Sequence, residues 1–201
     1  MEVLLENKNA IIYGGGGSIG GAIAGAFARE GAKVFLAGRT LTTLEEVAKD
    51  IRSAGGVAET AQVDALDEQT VDKYVDAVAA SAGSIDVSFN LISYGDVQGT
   101  PLAQMALEDF ERPIMTAVRA QFLTSRVAAR HMIRQGSGVI LTFGGAGGRD
   151  PIRDYTSGGF QVYLGGFQVA MGAIDVLRRL GHSSSRADVL GNLLERRKGA
   201  T

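Results

Sequence analysis

A doubly wound α/β fold, with one parallel sheet in a single domain, is the class the sequence predicts, and three observations predict it. Short apolar runs alternate with amphipathic helical stretches through five cycles. No hairpin signal joins any two of the runs, and glycines cluster where strand would pass into helix. Parallel neighbours need crossover connections, and right-handed crossovers put helices on both faces of the sheet, with ligands at the carboxyl ends of the strands.

The elements follow in order. Asn9–Tyr13 (NAIIY) is the first apolar strand, and the run from about Ser18 to Glu30 repeats Ile19, Ile23 and Phe27 at helical spacing. Lys33–Ala37 is the second strand. Thr43 to Ala54 reads as a helix opened by a capping box of Thr43 and Glu46 and ended by Gly55-Gly56. Ala58–Val63 is the third strand, Asp67 to Ala82 a helix and Asp86–Ile92 the fourth strand. A long helical stretch covers Leu107 to Gln135, where Pro113 must kink the helix or mark its first turn. Val139–Phe143 is the fifth strand, the uncharged glycine-rich segment beyond it is expected to be helical, and no sixth strand is visible. The expected division is a domain over 1–180 and a tail over 181–201, with Ser185 and Asp188 suited to the start of a short amphipathic helix there. Residues 158–164 and 165–171 form a tandem repeat of seven, which places Gly158, Gly165 and Gly172 on one helical face.

Composition narrows the function. With 45% hydrophobic and 21% charged residues, the chain of 201 is neither a disordered protein nor one that needs staples to build a core. The absence of cysteine excludes a disulfide framework, a thiolate metal site and a cysteine nucleophile, and two histidines, His131 and His182, are too few for a histidine metal centre. A net charge of −2 argues against a nucleic-acid partner. Residues 1–100 carry a net of −7 and residues 101–201 a net of +5, which either draws an anionic ligand to the second half or is plain solvated charge. The opening MEVLLENKNA lacks the apolar run of a secretory signal. The 20 uncharged residues from Tyr155 to Ile174 include five glycines and read as a buried interface helix, not a membrane span. A cytoplasmic protein without a membrane partner is expected.

The glycines carry the sharpest signal. Directly after the first strand stands Gly14-Gly15-Gly16-Gly17-Ser18-Ile19-Gly20, in which Gly15, Gly17 and Gly20 satisfy G-x-G-x-x-G between a strand and a helix. Such a turn brings backbone close to a pyrophosphate, and the helix N-terminus meets it with free N–H groups and partial positive charge. No Gly-Lys-Ser/Thr follows, which disfavours a nucleoside triphosphate. The prediction is a Rossmann-like, dinucleotide-binding sheet. At the end of the second strand, where an NAD site places an acid on the ribose, the sequence is Ala37-Gly38-Arg39-Thr40. Arginine there suits a 2′-phosphate, so NADP is expected rather than NAD, unless Arg39 is only a solvated turn residue.

Together these residues resemble the short-chain dehydrogenase/reductase family, from the first strand to about Arg179. Gly14 to Gly20 is similar to that family's T-G-x-x-x-G-x-G loop, with Tyr13 in place of the threonine and Ser18 in place of the middle glycine. Val63-Asp64 resembles the acid that contacts adenine after the third strand, and Asn90 is what is kept of the N-N-A-G end of the fourth. The resemblance implies hydride transfer between NADP(H) and a small carbonyl or alcohol, with Gly14, Gly15, Gly17, Ser18, Ile19, Gly20, Arg39, Asp64 and Asn90 at the cofactor. It also implies homo-oligomers, formed through the long helix around Val118 to Met132 and the glycine-faced helix at 158–172. The family's catalytic Asn, Ser and Tyr-x-x-x-Lys are not matched. Ala117 stands where the asparagine would, and Gly144, Gly145 or Ala146 where the serine would. Tyr155 is the candidate proton donor, with Thr142 or Ser157 as hydroxyl partners, but Gly159 follows it in place of lysine, and no lysine lies between Lys73 and Lys198. Arg149, Arg153 or Arg178 is the available cation for a phenol whose ordinary pKa is near 10. A catalytically inactive dinucleotide-binding protein, acting as sensor or assembly partner, is the alternative, and a shortened chain without a function of its own is a third reading.

Overall fold

The computed structural model describes residues 3–95, 97 and 99–143. Within them lie β1 (Asn9–Tyr13), α1 (Ser18–Arg29), β2 (Lys33–Gly38), α2 (Leu41–Ser53), β3 (Val57–Gln62), α3 (Glu68–Ala82), β4 (Val87–Asn90), α4 (Leu107–Gln135) and β5 (Val139–Thr142). A single 3₁₀ turn, Leu102–Gln104, precedes α4. The strands form one sheet in the order β3-β2-β1-β4-β5, and every pairing is parallel. The doubly wound class expected from the sequence is therefore the observed one.

Alternation along β1 builds both halves of the core. Ile11 and Tyr13 face α3 and α4, where they meet Val71, Val75, Val127 and Met132. Ala10 and Ile12 face α1 and α2, where they meet Ala24, Phe27, Leu44 and Ile51. Because successive side chains of a strand point to opposite faces, a strand covered on both sides must be apolar throughout, and all five residues of β1 are buried.

Two details differ from the sequence reading. Helix α2 begins at Leu41, two residues before the expected start, and the Thr43 hydroxyl donates to the Thr40 carbonyl oxygen at 3.0 Å. The capping box of Thr43 and Glu46 is thus replaced by a hydroxyl bonded inside the first turn. Pro113 lies in the second turn of α4, not the first, and leaves the Asp109 carbonyl without its usual i+4 donor. Helix α3 is capped at both ends, since the Asp67 carboxylate accepts from the Thr70 N–H at 2.9 Å and Gly83 closes the helix at φ 84°. No helix among the described residues is long and apolar enough to cross a membrane, and no metal-holding cluster of His, Cys, Asp or Glu occurs among them. The tandem repeat, the Tyr155–Ile174 stretch and the 181–201 tail lie outside the described residues.

Tyr13 is the least comfortable member of the core. Its ring packs edge-on against Tyr74 at 6.4 Å between centroids, but its hydroxyl is buried with no hydrogen-bond partner among the described residues. Burial, helped by Tyr74 and Asp72, pushes the phenol well above its ordinary pKa, so it stays neutral. An unpaired buried hydroxyl costs stability, whereas the ring that carries it adds to it. Tyr13→Phe is therefore expected to leave unfolding free energy unchanged or raise it by about 1 kcal/mol in urea titrations. Phe35→Ala, at a fully packed position of β2, is expected to lower it by about 3–5 kcal/mol in the same assay.

Candidate functional site

The sheet order reverses direction between β1 and β4, which makes the carboxyl ends of these strands the crevice of the fold. Gly14 opens the loop there at φ +76°, and a Cβ on it would lie 2.6 Å from the Leu91 carbonyl oxygen. Only glycine meets both demands. The loop is then pinned by its own backbone, with the Gly14 N–H donating to the Ala37 carbonyl at 2.8 Å and the Gly17 N–H to the Gly14 carbonyl at 3.1 Å. Gly20, in the first turn of α1, lies so close to the Gly14 carbonyl that a Cβ would collide with it. This contact seats the helix directly over the end of β1.

Among the described residues, nothing caps the N-terminus of helix α1. Gly17 is the N-cap without a side-chain bond, and the first turn holds no acid. The amides of Ser18, Ile19 and Gly20 have no intrahelical acceptors, and Gly17, Ser18 and Ile19 are exposed. Such an end accepts an anion.

Beside it lies a cleft of about 320 Å³, whose walls include Gly14, Gly17, Arg39, Asp64, Leu91 to Ser93 and Thr116. Arg39 is exposed at the end of β2, where its carbonyl accepts from Gln62 Nε2 at 3.0 Å. Its guanidinium pairs with no acid among the described residues. Asp64 holds the turn after β3 by accepting the Leu66 N–H at 2.9 Å, which leaves its carboxylate at the cleft wall. A larger open hollow of about 640 Å³ lies between α1 and α2, but its lining of Gly21, Gly25, Val47 and Ile51 brings in no strand end.

The sequence-predicted residues thus take different places. Gly14, Gly17, Arg39 and Asp64 line the cleft. Ser18 and Ile19 are exposed at the N-terminus of α1 outside the cleft lining, Ser18 bordering the hollow between α1 and α2, while Gly15 and Gly20 are buried and act by allowing close packing. Asn90 is turned inward with 2% exposure, donating from Nδ2 to Thr124 Oγ1 at 3.2 Å and accepting the Ile92 N–H at 3.2 Å on Oδ1. Its side chain braces the end of β4 against α4. Ala117 is buried on α4 at 2% exposure and brings no polar group. Thr142 ends β5, half-buried. Tyr155, Ser157 and residues 144–146 lie outside the described residues. Sequence reasoning singled out neither Thr40 nor Ser93, which follow strand ends it had located, nor Thr116, which only the packing of α4 brings to the cleft.

The fold and the loop define an α/β protein of the doubly wound class with a glycine-rich turn from β1 into α1. The chain belongs to the short-chain dehydrogenase/reductase family: the sequence profile described as short chain dehydrogenase matches residues 8–157. The 7alpha-hydroxysteroid dehydrogenase of Clostridium sardiniense is 35% identical over 140 residues, which are 68% of this chain and 53% of that one. Among solved structures, a metagenomic short-chain oxidoreductase in complex with NADP superposes with a TM-score of 0.76 at 28% identity, covering 88% of this chain and 79% of that one. NAD⁺-bound xylitol dehydrogenase superposes with a TM-score of 0.75 at 25% identity, covering 88% and 67%. The chain spans about half the length of the curated relatives it matches.

The loop geometry makes a graded prediction. Gly14→Ala and Gly20→Ala are expected to unfold the chain or lower its melting temperature by many degrees, because each methyl group meets backbone. At Gly17 the nearest atom to an added Cβ is 3.4 Å away, so Gly17→Ala is expected to melt close to the parent. Circular dichroism melts of the three variants check this order.

Proposed function

We propose that this chain carries the dinucleotide-binding part of an oxidoreductase that transfers hydride between NADP(H) and a small carbonyl or alcohol. The observation that carries the reading is the unobstructed N-terminus of α1 above a loop where Gly14 and Gly20 let no side chain intervene. The Ser18, Ile19 and Gly20 amides would hold the pyrophosphate, Asp64 would face the adenine, and Arg39 would neutralise a 2′-phosphate. When bound, the nicotinamide supplies or takes the hydride. Asn90 keeps the end of β4 fixed against α4, so that Leu91 to Ser93 present one unchanging wall to the ligand. Proton transfer is assigned to Tyr155, the hydroxyl to which the resemblance points. A cysteine-free chain needs no oxidising compartment, which fits a cytoplasmic setting.

The choice of NADP over NAD rests on Arg39 alone, since solved relatives bind either. NADPH is expected to bind more tightly than NADH, as read from nicotinamide fluorescence against a chain without tryptophan. Arg39→Ala is expected to weaken NADPH by about tenfold or more, the loss of a charged hydrogen bond, and to leave NADH unchanged. Equal affinities in the parent would remove Arg39 from the site.

Homo-oligomers are part of the same proposal. Met115, Phe122 and Ile133 on α4 are 64%, 58% and 51% exposed. Their spacings of seven and eleven residues put them within about 20° of one another around the helix. An apolar stripe of this kind is a natural helix–helix contact. Light scattering after size exclusion is expected to give more than one chain per particle, and Phe122→Glu to shift it to the monomer without lowering the melting temperature.

A further inference from the structure

Helix α4 turns a face toward the sheet that is apolar at Ala117, Ala120, Leu123, Val127 and Ala128, and Gln121 is buried among them at 2% exposure. Its Nε2 donates to the Tyr94 hydroxyl at 2.7 Å. Its Oε1 is buried and has no partner among the described residues. A buried amide that satisfies only one end is an expensive choice where a leucine would pack without penalty, and such groups need a reason beyond stability. The reason available here is the orientation of Tyr94.

That orientation has a definite polarity. The phenol oxygen accepts from Gln121, so its own proton points away, and among the described residues it donates to none. Tyr94 directly follows Leu91, Ile92 and Ser93, which line the cleft, and Gln121 lies little more than one turn beyond Thr116, which lines it from α4. Tyr94 itself is half-buried. Burial raises the phenol above its ordinary pKa and the Gln121 bond draws it partway back, so at neutral pH it is a protonated donor. The pair therefore fixes an O–H donor on the residue directly after the cleft-lining segment Leu91 to Ser93, beyond the strand end where the sheet order reverses.

We propose that Tyr94 donates a hydrogen bond to the oxygen of the bound carbonyl or alcohol substrate, and that Gln121 is a positioning residue that aims it. This rests on the oxidoreductase reading above and adds to it a residue that touches substrate. The contact is a hydrogen bond, not the proton transfer. It strengthens as the substrate oxygen gains negative charge during reduction, so its loss falls on turnover more than on ground-state binding.

The test uses the full chain with NADPH and three carbonyl probes, benzaldehyde, cyclohexanone and dihydroxyacetone, followed by loss of nicotinamide fluorescence. Tyr94→Phe is expected to lower kcat/KM on the best probe by about tenfold, mainly through kcat, with the NADPH Kd unchanged within about twofold. Gln121→Leu is expected to lower kcat severalfold while its melting temperature equals or exceeds the parent's, because the unpaired oxygen is gone. A purely structural glutamine would lose stability and activity together, and that result overturns the proposal. So does a Tyr94→Phe chain with unchanged kcat/KM, or one with weakened NADPH binding, which would move the contact to the cofactor. A parent chain that binds NADPH but reduces no probe overturns it as well. Failure of the parent to bind either dinucleotide is a different result, seen before any variant is made, and it sinks the oxidoreductase reading and this inference with it.

Discussion

The close approach of Gly20 to the carbonyl of Gly14 governs the rest of this structure. It sets α1 directly above the end of β1, with no side chain between helix and strand. From that position the helix presents its free amides to the crevice, and Ala24 and Phe27 fall onto the face of the sheet built by Ala10 and Ile12. A bulkier residue at either glycine would move the whole helix, because tightly packed interiors yield little to a local displacement. Binding geometry and half of the core thus share one backbone contact. Gly14 ties the same point to β4 as well, since its missing side chain leaves room for the Leu91 carbonyl. Loop, helix and both central strands are fixed together.

The other face of the sheet is held differently. There α3 and α4 pack on Ile11, Phe35 and Tyr13, and their outer edges are joined by acids and bases at matching spacing. Glu68 and Asp72 on α3 pair with Arg126 on α4, Asp72 also pairs with Arg130, and Asp76 meets His131. Exposed ion pairs add little to stability. Because α3 offers only acids and α4 only bases at these positions, a slip of one turn would pair them again, so the ladder joins the two helices without choosing their register. Register matters on α4 because its inner face carries Gln121 and Thr124 to β4 and the segment after it, and Thr116 to the cleft wall. Packing of that inner face on the sheet, through Ala120, Val127, Ala128 and Met132, sets where the buried polar groups arrive.

Much of this was legible in the sequence because it depends on local chemistry. The uninterrupted apolar run NAIIY can only be a strand covered on both faces, and the glycines after it make a turn of one kind. Arg39 and Asp64 could be placed at the cleft because a parallel sheet brings every strand end to one edge. Less legible were features decided by competition between nearly equal partners. Thr43 and Glu46 have the spacing of a capping box, yet the helix gains two residues by starting at Leu41, and the hydroxyl finds the Thr40 carbonyl instead. Asn90 matched a motif, but whether its amide faces ligand or core depends on Thr124, which is 34 positions away. Gln121 carried no signal at all, because polar residues on a long amphipathic helix ordinarily face water.

Among the described residues, the buried side chains of Tyr13 and Gln121 are each incompletely paired, and the comparison between them separates structure from function. The Tyr13 hydroxyl comes attached to a ring that fills the core against Tyr74. Its ring repays the unpaired oxygen, so packing alone accounts for the residue. Gln121 offers no such return, because a glutamine stem packs no better than leucine and its amide must be desolvated. What the amide gains is one bond of 2.7 Å to the half-buried phenol of Tyr94, the residue that follows the cleft-lining Leu91 to Ser93. A fold consistent at every other level tolerates a local violation where something besides folding depends on it. On that ground the conflict at Gln121, unlike the one at Tyr13, points outward to a ligand.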